Sequence, residues 1–557
     1  MQNKQDFSQG SVAGCMLRMA IPMTIAQLVN VLYNITDRFF IGHIDGGASA
    51  GLTGVGIVFP IISLITAFTN LFGMGGAPLC AIARGKKDTL LAERIMGTTC
   101  YMLFVTAVII TSLGLVLCSP LLSWFGASAD TYTYAYDYFS VYILGTPFAM
   151  LSLGMNGFIN SQGFGQIGMV TITVGAVVNI VLDPLLIYGL GMGVRGAAVA
   201  TIISQLLSAL WVMRFLTGPR AILRLRREFI RWCPELIGDV VRLGFCSFIM
   251  SFTNAATQLA YNTALRGLGG DVYIGAMTVI NSLREVVSMP VNGITGGAQP
   301  VLGYNYGAGE YDRVKQGILF MTGVCTAYML LAWGVIFLFP EFLVRMFSND
   351  PQLIAVGTHL LHIYFFGFCF MALQMSGQSV FTALGKAKHA IFFSLFRKVG
   401  LVIPLIFLLP RFLGIDGVLW SEPISNLIGG TACFLVMMHM SKNFLAQFWR
   451  KSLAERIAHR CEVGNLIQNT VSQKPPVGYI DLNFPVSLTQ RRDSKQMLYE
   501  YHLYEDYRIC SRTTIVVAVI RIQSLIQPFV IHDRFYFSKQ VVFRYQCVYV
   551  YDDRCFP

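Results

Sequence analysis

Apolar stretches long enough to cross a bilayer follow one another from residue 15 to about 440, each closed by a short polar or Gly/Pro-containing break. Roughly 20 mainly apolar residues in a helix cover the hydrocarbon core. Read against those breaks, the pattern predicts helices over 15–41, 51–79, 95–118, 133–158, 166–189, 194–216, 236–264, 272–302, 316–339, 356–383, 389–411 and 417–440. The expected class is therefore all-α and integral to the membrane, with twelve spans. After about residue 445 the pattern stops. The stretch from Lys451 is polar and aperiodic, and the C-terminal residues beyond it mix apolar and aromatic side chains without helical period. "TTIVVAVIRIQSLIQPFVI" (513–531) holds an Arg and a Pro and is not read as a thirteenth span. Residues 446–557 are left as an extension of unknown structure, disorder included, with no expected part in the membrane unit.

Composition supports the membrane class. Of 557 residues 55% are hydrophobic and 13% charged, where soluble domains carry about 25% charged residues. Mean hydropathy is +0.59. The 13 cysteines, among them Cys15, Cys80, Cys118, Cys246 and Cys433, stand singly in apolar segments and read as small packed hydrophobes. The N-terminus runs straight into the first long span without a short apolar core and cleavage site, so that span is expected to be retained.

The net charge of +12 would suit a nucleic-acid partner, but its distribution points to the bilayer. With the N-terminus inside, the inner loops carry Arg84, Lys86, Lys87 and Arg94, then Arg214, Arg220, Arg224, Arg226, Arg227 and Arg231, then Arg313, Lys315, Lys386 and Lys388. The outer loops carry little beyond Arg195, Arg266, Arg345 and Arg411. Such asymmetry places both ends of the membrane unit in the cytoplasm, predicts a multi-pass protein of the cell membrane, and leaves no need for nucleic acid.

The chain also matches itself at a period of about 222 residues. "LLSWFGAS" (121–128) lies over "LVRMFSND" (343–350), "NSQGFGQ" (160–166) over "TALGKAK" (382–388), and "GVRGAAVAT" (193–201) over "GIDGVLWSE" (414–422). Two six-helix pseudosymmetric bundles are implied, 1–216 and 236–445, joined by the basic linker 217–235. An even number of spans per half makes the repeats parallel, with a cavity between them that can open to either side.

Charges at mid-membrane cost about 2.5–3.5 kcal/mol each on insertion scales, so those that cannot snorkel need compensation. Asp37, Asp183, Glu285 and Arg397 are central in their spans. Asn179 and Asp183 are four apart and share a helix face, and Pro184 perturbs the hydrogen bonding of the preceding turn. In the first span Asn30, Tyr33, Asn34 and Asp37 form a second polar face, and Thr201 closes the small-residue run "GAAVAT" of the sixth. Two carboxylates, an amide and a hydroxyl converging in one half could cage a hard monovalent cation, could share a proton, or could be a structural hydrogen-bonded cluster. In the second half Arg284 and Glu285, Arg397 and Lys398, and Glu422, which the repeat sets over Thr201, form another charged group. A Glu285–Arg397 pair is the first expectation there, as a structural tie, a gate or a binding spot for cationic substrates. His359 and His362 have metal-like spacing but no third ligand, so no metal site is expected.

Several segments together resemble the multidrug and toxic-compound extrusion (MATE) family of cation-coupled efflux pumps. They are "IPMTIAQLVNVLYNITDRFFIGH" (21–43), "FGMGGAPLCAIARGKKD" (72–88), "NIVLDP" (179–184), "GVRGAAVATIISQ" (193–205) and "INSLREVVSMPVNGITGGAQPVLGYNYGAGEYDR" (280–313). The likeness covers about 12–440; the tail has no counterpart in it. The resemblance implies the prokaryotic branch whose cation site lies in the N-terminal half, with Asp37, Asn179, Asp183 and Thr201 as coupling residues. It places Asn30 and Asn156 beside the N-terminal cavity, where Tyr33 and Asn34, and across the cavity Glu285, are further candidates to meet substrate. The second branch places acids in spans seven and ten, and here 251–266 and 362–375 contain none. The implied activity is antiport by alternating access, exchanging Na⁺ or H⁺ for amphipathic, mainly cationic drugs, with no cofactor beyond the coupling ion and the protein a monomer. A flippase for lipid-linked oligosaccharide is the related alternative, for which Arg397 and Lys398 are too few bases. No HExxH or phosphate-loop pattern occurs, and no enzyme is expected.

Overall fold

The computed structural model describes residues 6–44, 48–125, 129–347 and 350–441, and in the tail only 486–493, 496–503, 516–517 and 548–549. The chain divides into two units, Met1–Arg450 and Lys451–Pro557. In the second unit the strand Val486–Asp493 pairs antiparallel with Gln496–Leu503, and Val516–Val517 with Val548–Tyr549. The rest of the expectation for the tail lies outside the described residues.

The first unit is a helical membrane protein of twelve spans. Among the described residues, ten helices are long and apolar enough to cross alone: Val12–Ile41, Thr53–Gly85, Thr89–Val116, Thr131–Ser161, Gly165–Gly189, Gly193–Thr217, Pro234–Leu265, Tyr311–Leu338, Ala387–Leu413 and Ile415–Ser441. Pro351–Tyr364 and Cys369–Ala383, bent by 55°, make one more as span 10. Spans 7 and 8 lie in the segment Pro234–Ala308, two helices that meet in a kink at Gly270, whose φ of 70° only glycine adopts without strain; span 8 is the arm 271–308. Arg284, Glu285, Pro290, Pro300 and a run of glycines make this arm the least apolar of the twelve.

The duplication read from sequence is visible in small features. Span 3 is followed by the short helix Cys118–Trp124, and span 9 by Pro340–Arg345 at the corresponding place. Three spans carry wide π-type turns: Leu185–Gly189 after Pro184, Phe396–Val402, and Asn426–Gly430 after Pro423. Proline withholds one N–H and crowds the preceding turn, and an inserted residue rotates everything downstream. These turns decide which face of spans 5, 11 and 12 meets the lobe interior.

The two halves touch at the end that carries the N-terminus. A Cβ on Gly244 would overlap the Leu71 carbonyl, and one on Gly307 the Ile82 carbonyl, so spans 7 and 8 approach span 2 at backbone distance. Gly293 and Gly297 of span 8 meet Thr24 and Ala20 of span 1 in the same way. All these contacts fall toward Val12, Gly85, Pro234 and Ala308, the ends that cluster on one side of the bundle.

A strap formed by residues 6–11 lies across that closure. Arg313 donates to the carbonyls of Gly10 (2.9 Å) and Phe7 (2.8 Å) and to Asn305 Oδ1 (3.0 Å), while Asn305 Nδ2 donates to Phe7 (3.2 Å). The Tyr304 hydroxyl donates to Asp6 (3.1 Å). Burial pushes the Asp6 carboxyl up, but hydrogen bonds from Ser8 and Tyr304 and the charge of Arg84 outweigh it and hold it below its ordinary value. Arg84, of the N-terminal lobe, stands over the Phe7 and Tyr304 rings and donates to the Ser161 carbonyl (3.1 Å). Hydrogen bonds to a charged group contribute about 1.5–3 kcal/mol each. Arg313→Ala is accordingly expected to raise the maleimide-labelling rate of Ser8→Cys about tenfold or more; an unchanged rate would show that the strap is held by other contacts.

Candidate functional site

The buried polar groups form two clusters, one in each lobe. In the N-terminal lobe span 5 supplies Asn179 and Asp183, one turn apart on the face that Pro184 and the π turn leave pointing inward. Both are fully buried, Thr201 of span 6 is 1% exposed, and Asp37 of span 1 is 7% exposed. Asn179 Nδ2 donates to Asp183 Oδ1 (3.2 Å) and lies 3.4 Å from Thr201 Oγ1, whose own proton goes to the Ala197 carbonyl (3.0 Å). Asp37 and Asp183 are near enough to act on each other's charge, and Tyr33 lies beside Thr201. The four residues grouped from sequence thus meet in one place.

What this cluster lacks is donors. Among the described residues, Asn179 Oδ1 and Asp183 Oδ2 are buried without a hydrogen-bond partner. An unsatisfied buried acceptor costs about 1–3 kcal/mol and more when charged, which a bound cation or a proton would offset. Tyr138 and Tyr142 of span 4, stacked at 5.6 Å and buried, complete the wall, with Gln205 of span 6 beside Tyr142. Sequence reading missed these three; the i, i+4 spacing of the tyrosines was the available signal.

The other cavity candidates are placed differently. Asn30 is exposed on span 1 and Tyr33 is partly buried beside the cluster, while the side chain of Asn34 lies outside the described residues. Asn156 is 7% exposed and donates to the Gly168 carbonyl (3.2 Å), tying span 4 to span 5. His359 pairs with Asp416 (3.0 Å) and His362 with the Phe337 carbonyl (3.3 Å), so the two histidines do not converge. "GASAG" (47–51) has the spacing of a serine-nucleophile elbow; Ser49 falls within the helix Ala48–Gly85, and the residues before it, 45–47, lie outside the described residues.

In the C-terminal lobe the expected Glu285–Arg397 pair is not formed. Arg397 Nη1 donates to Glu422 Oε1 (2.8 Å) and to Asn426 Oδ1 (2.9 Å), and Lys398 Nζ is 3.7 Å from the same carboxylate oxygen. Glu285 is exposed and, among the described residues, has no ion pair. The reason is rotation. The π turn Phe396–Val402 carries Arg397 and Lys398 toward span 12, where Glu422 is fully buried. Tyr261 of span 7 closes the group through Ser421 Oγ (2.8 Å) and Glu422 Oε2 (3.5 Å).

Comparison with known proteins places this architecture. The MatE family model matches residues 22–185 and 246–408, once in each six-helix half. The chain belongs to the MatE family. Among curated relatives of this MatE chain are the multidrug export proteins MepA of Staphylococcus haemolyticus, 26% identical over 81% of this chain and 96% of its own, and of Staphylococcus saprophyticus, 25% identical over 77% and 94%. Solved MATE structures share the fold. One in the bent conformation superposes with a TM-score of 0.75 at 22% identity, over 80% of this chain and 99% of its own. An outward-facing multidrug resistance transporter of the MOP superfamily gives 0.73 at 22%, over 78% and 97%. Proteins of the MatE family are transporters, not enzymes.

Proposed function

We propose that this MatE protein is a cation-coupled exporter of the cell membrane that expels amphipathic, mainly cationic compounds by alternating access. The relatives named for multidrug export support the substrate class. The coupling reading rests on one observation: Asn179 Oδ1 and Asp183 Oδ2 are buried oxygens without a donor, beside Asp37 and Thr201.

A monovalent cation, Na⁺ or H⁺, neutralises this oxygen-rich cluster when the lobes open outward and is released inward. For that to move the lobes the ion must bind the two conformations with different affinity, since equal affinity shifts nothing. The distribution of Lys and Arg assigns the strapped end to the cytoplasm, which makes the arrangement with spans 1 and 2 pressed against spans 7 and 8 the outward-facing one. The protein works as a monomer with both ends of the membrane unit inside, because each lobe carries its own buried cluster and the pair of lobes completes the pathway.

The test is efflux of a fluorescent cationic dye from proteoliposomes with Na⁺ and pH gradients imposed separately. Efflux driven by one of the two is expected. Efflux indifferent to both, yet present, would end the coupling reading.

A further inference from the structure

The two lobes are wired with opposite polarity. Among the described residues, the N-terminal cluster leaves oxygens unsatisfied, whereas the C-terminal cluster leaves N–H groups unsatisfied: Arg397 Nε, Asn426 Nδ2 and Arg284 Nε are buried without an acceptor. Arg397 is 8% exposed, Lys398 5% and Asn426 fully buried, so water does not freely solvate them. Three basic side chains, Arg284, Arg397 and Lys398, act on the one buried carboxylate, Glu422, while the exposed Glu285 acts on Arg284, so bases outnumber acids in the cluster. Burying a charge without a counter-charge and hydrogen bonds is costly. The chain nevertheless builds this cluster from three spans, with π turns presenting Arg397 and Lys398 from one side and Asn426 from the other. Gly429 lies where a Cβ would press on the Arg397 stem at 3.1 Å, and its bareness lets the guanidinium lie along span 12. Arg284, partly exposed on span 8 next to the exposed Glu285, gives the cluster its outlet.

We propose that the C-terminal lobe holds a site for a singly charged anionic group, bounded by Arg284, Arg397, Lys398 and Asn426. The group is the carboxylate of an amphipathic substrate or a chloride ion. The site supplies the missing acceptor to three N–H groups and the missing negative charge to the surplus cations. Resting on the exporter reading above, it gives the carboxylate of a zwitterionic substrate a place to bind: the carboxylate docks in the C-terminal lobe while the cationic body lies toward the carboxylate-bearing N-terminal half. The repeat explains how such a pair arises, because the position held by Thr201 in the first half is held by Glu422 in the second, and no acid stands over Asp183.

The test uses the full-length protein in detergent and one rhodamine dye in two forms, the zwitterionic free acid and its cationic methyl ester. Binding is read by fluorescence polarisation without any gradient, in a chloride-free buffer of N-methylglucamine and MOPS. Lys398→Gln keeps the Arg397–Glu422 bond; it is expected to weaken binding of the acid about tenfold and leave the ester within about twofold, and Lys398→Arg is expected to restore the acid. Retained ester binding shows the variant folded. Chloride that displaces the acid from wild type shows that the free halide fits the site; chloride without effect confines it to the substrate's carboxylate. An equal loss for both dyes, or no loss for either, overturns the proposal. Should wild type bind neither dye, the exporter's substrate class is what fails. The anion site then stands on a chloride-dependent rise in melting temperature that Lys398→Gln removes, and falls if wild type shows no such rise.

Discussion

Asp183→Asn is expected to abolish gradient-driven efflux, at least about a hundredfold, while the protein still inserts and folds. The substitution is nearly isosteric, and the new side chain retains one oxygen to accept from Asn179 Nδ2, which now lies 3.2 Å from Asp183 Oδ1. The other carboxylate oxygen, Oδ2, buried and without a donor, becomes an NH₂ group. The one place that requires a cation or a proton then presents a donor, and the charge that would attract the ion is gone. A ligand must favour one conformation about 10⁴-fold to move a two-state equilibrium from 1:99 to 99:1. A site without its charge cannot supply that difference. The measurement is paired: dye efflux and ion flux in proteoliposomes, with the melting profile as control for folding. Asp37→Asn is expected to act in the same direction, because the two carboxylates feel each other across the cluster. Full gradient-driven efflux by either variant would make the cluster structural.

The parts of this molecule legible in the sequence are those fixed by local spacing. The twelve spans came from apolar runs between polar or Gly/Pro breaks, and the structure starts and ends them within several residues of that reading. Asn179 and Asp183 could be grouped because both sit on one helix at i and i+4, a relation that needs no tertiary information. Features that depend on a helix's rotation were not legible. The 55° bend of span 10 sits in "YFFGFC", where Gly367 takes a φ of 69° among aromatic neighbours that give no sign of a break. Tyr138 and Tyr142 were lost among the 24 tyrosines of the chain, since a tyrosine in a span does not declare which face it is on. The Glu285–Arg397 expectation matched opposite charges at similar depth, but the π turn at Phe396–Val402 turns Arg397 away from span 8. The repeat held the correct partner, because it set Glu422 over Thr201 and so at the centre of the second lobe.

Glu422 should accordingly be the least replaceable residue of the C-terminal lobe for stability. Its carboxylate is fully buried, accepts from Arg397 at 2.8 Å, and is 3.7 Å from Lys398. Glu422→Gln leaves two buried bases facing a neutral amide. Removing one partner of a buried ion pair costs about 3–5 kcal/mol, because the remaining charge stays desolvated. Against a net stability typically near 5–15 kcal/mol, that is a large share. The expected result is a marked fall in melting temperature and in folded yield. A double variant separates charge from shape: Arg397→Met together with Glu422→Leu removes both charges of the closest pair and should recover much of the loss, as apolar replacement of buried ion pairs often does. A double variant as unstable as Glu422→Gln would mean that the pair matters for its packing and not for its charge balance. The same single variant also bears on the anion site. With Glu422 neutral the cluster has three bases and no internal anion, so chloride should stabilise Glu422→Gln more than wild type, in proportion to the logarithm of its concentration above the dissociation constant. A chloride response no larger than that of wild type would place the orphaned N–H groups out of reach of any ion, and the excess positive charge would then have to be a cost the fold bears for some other contact.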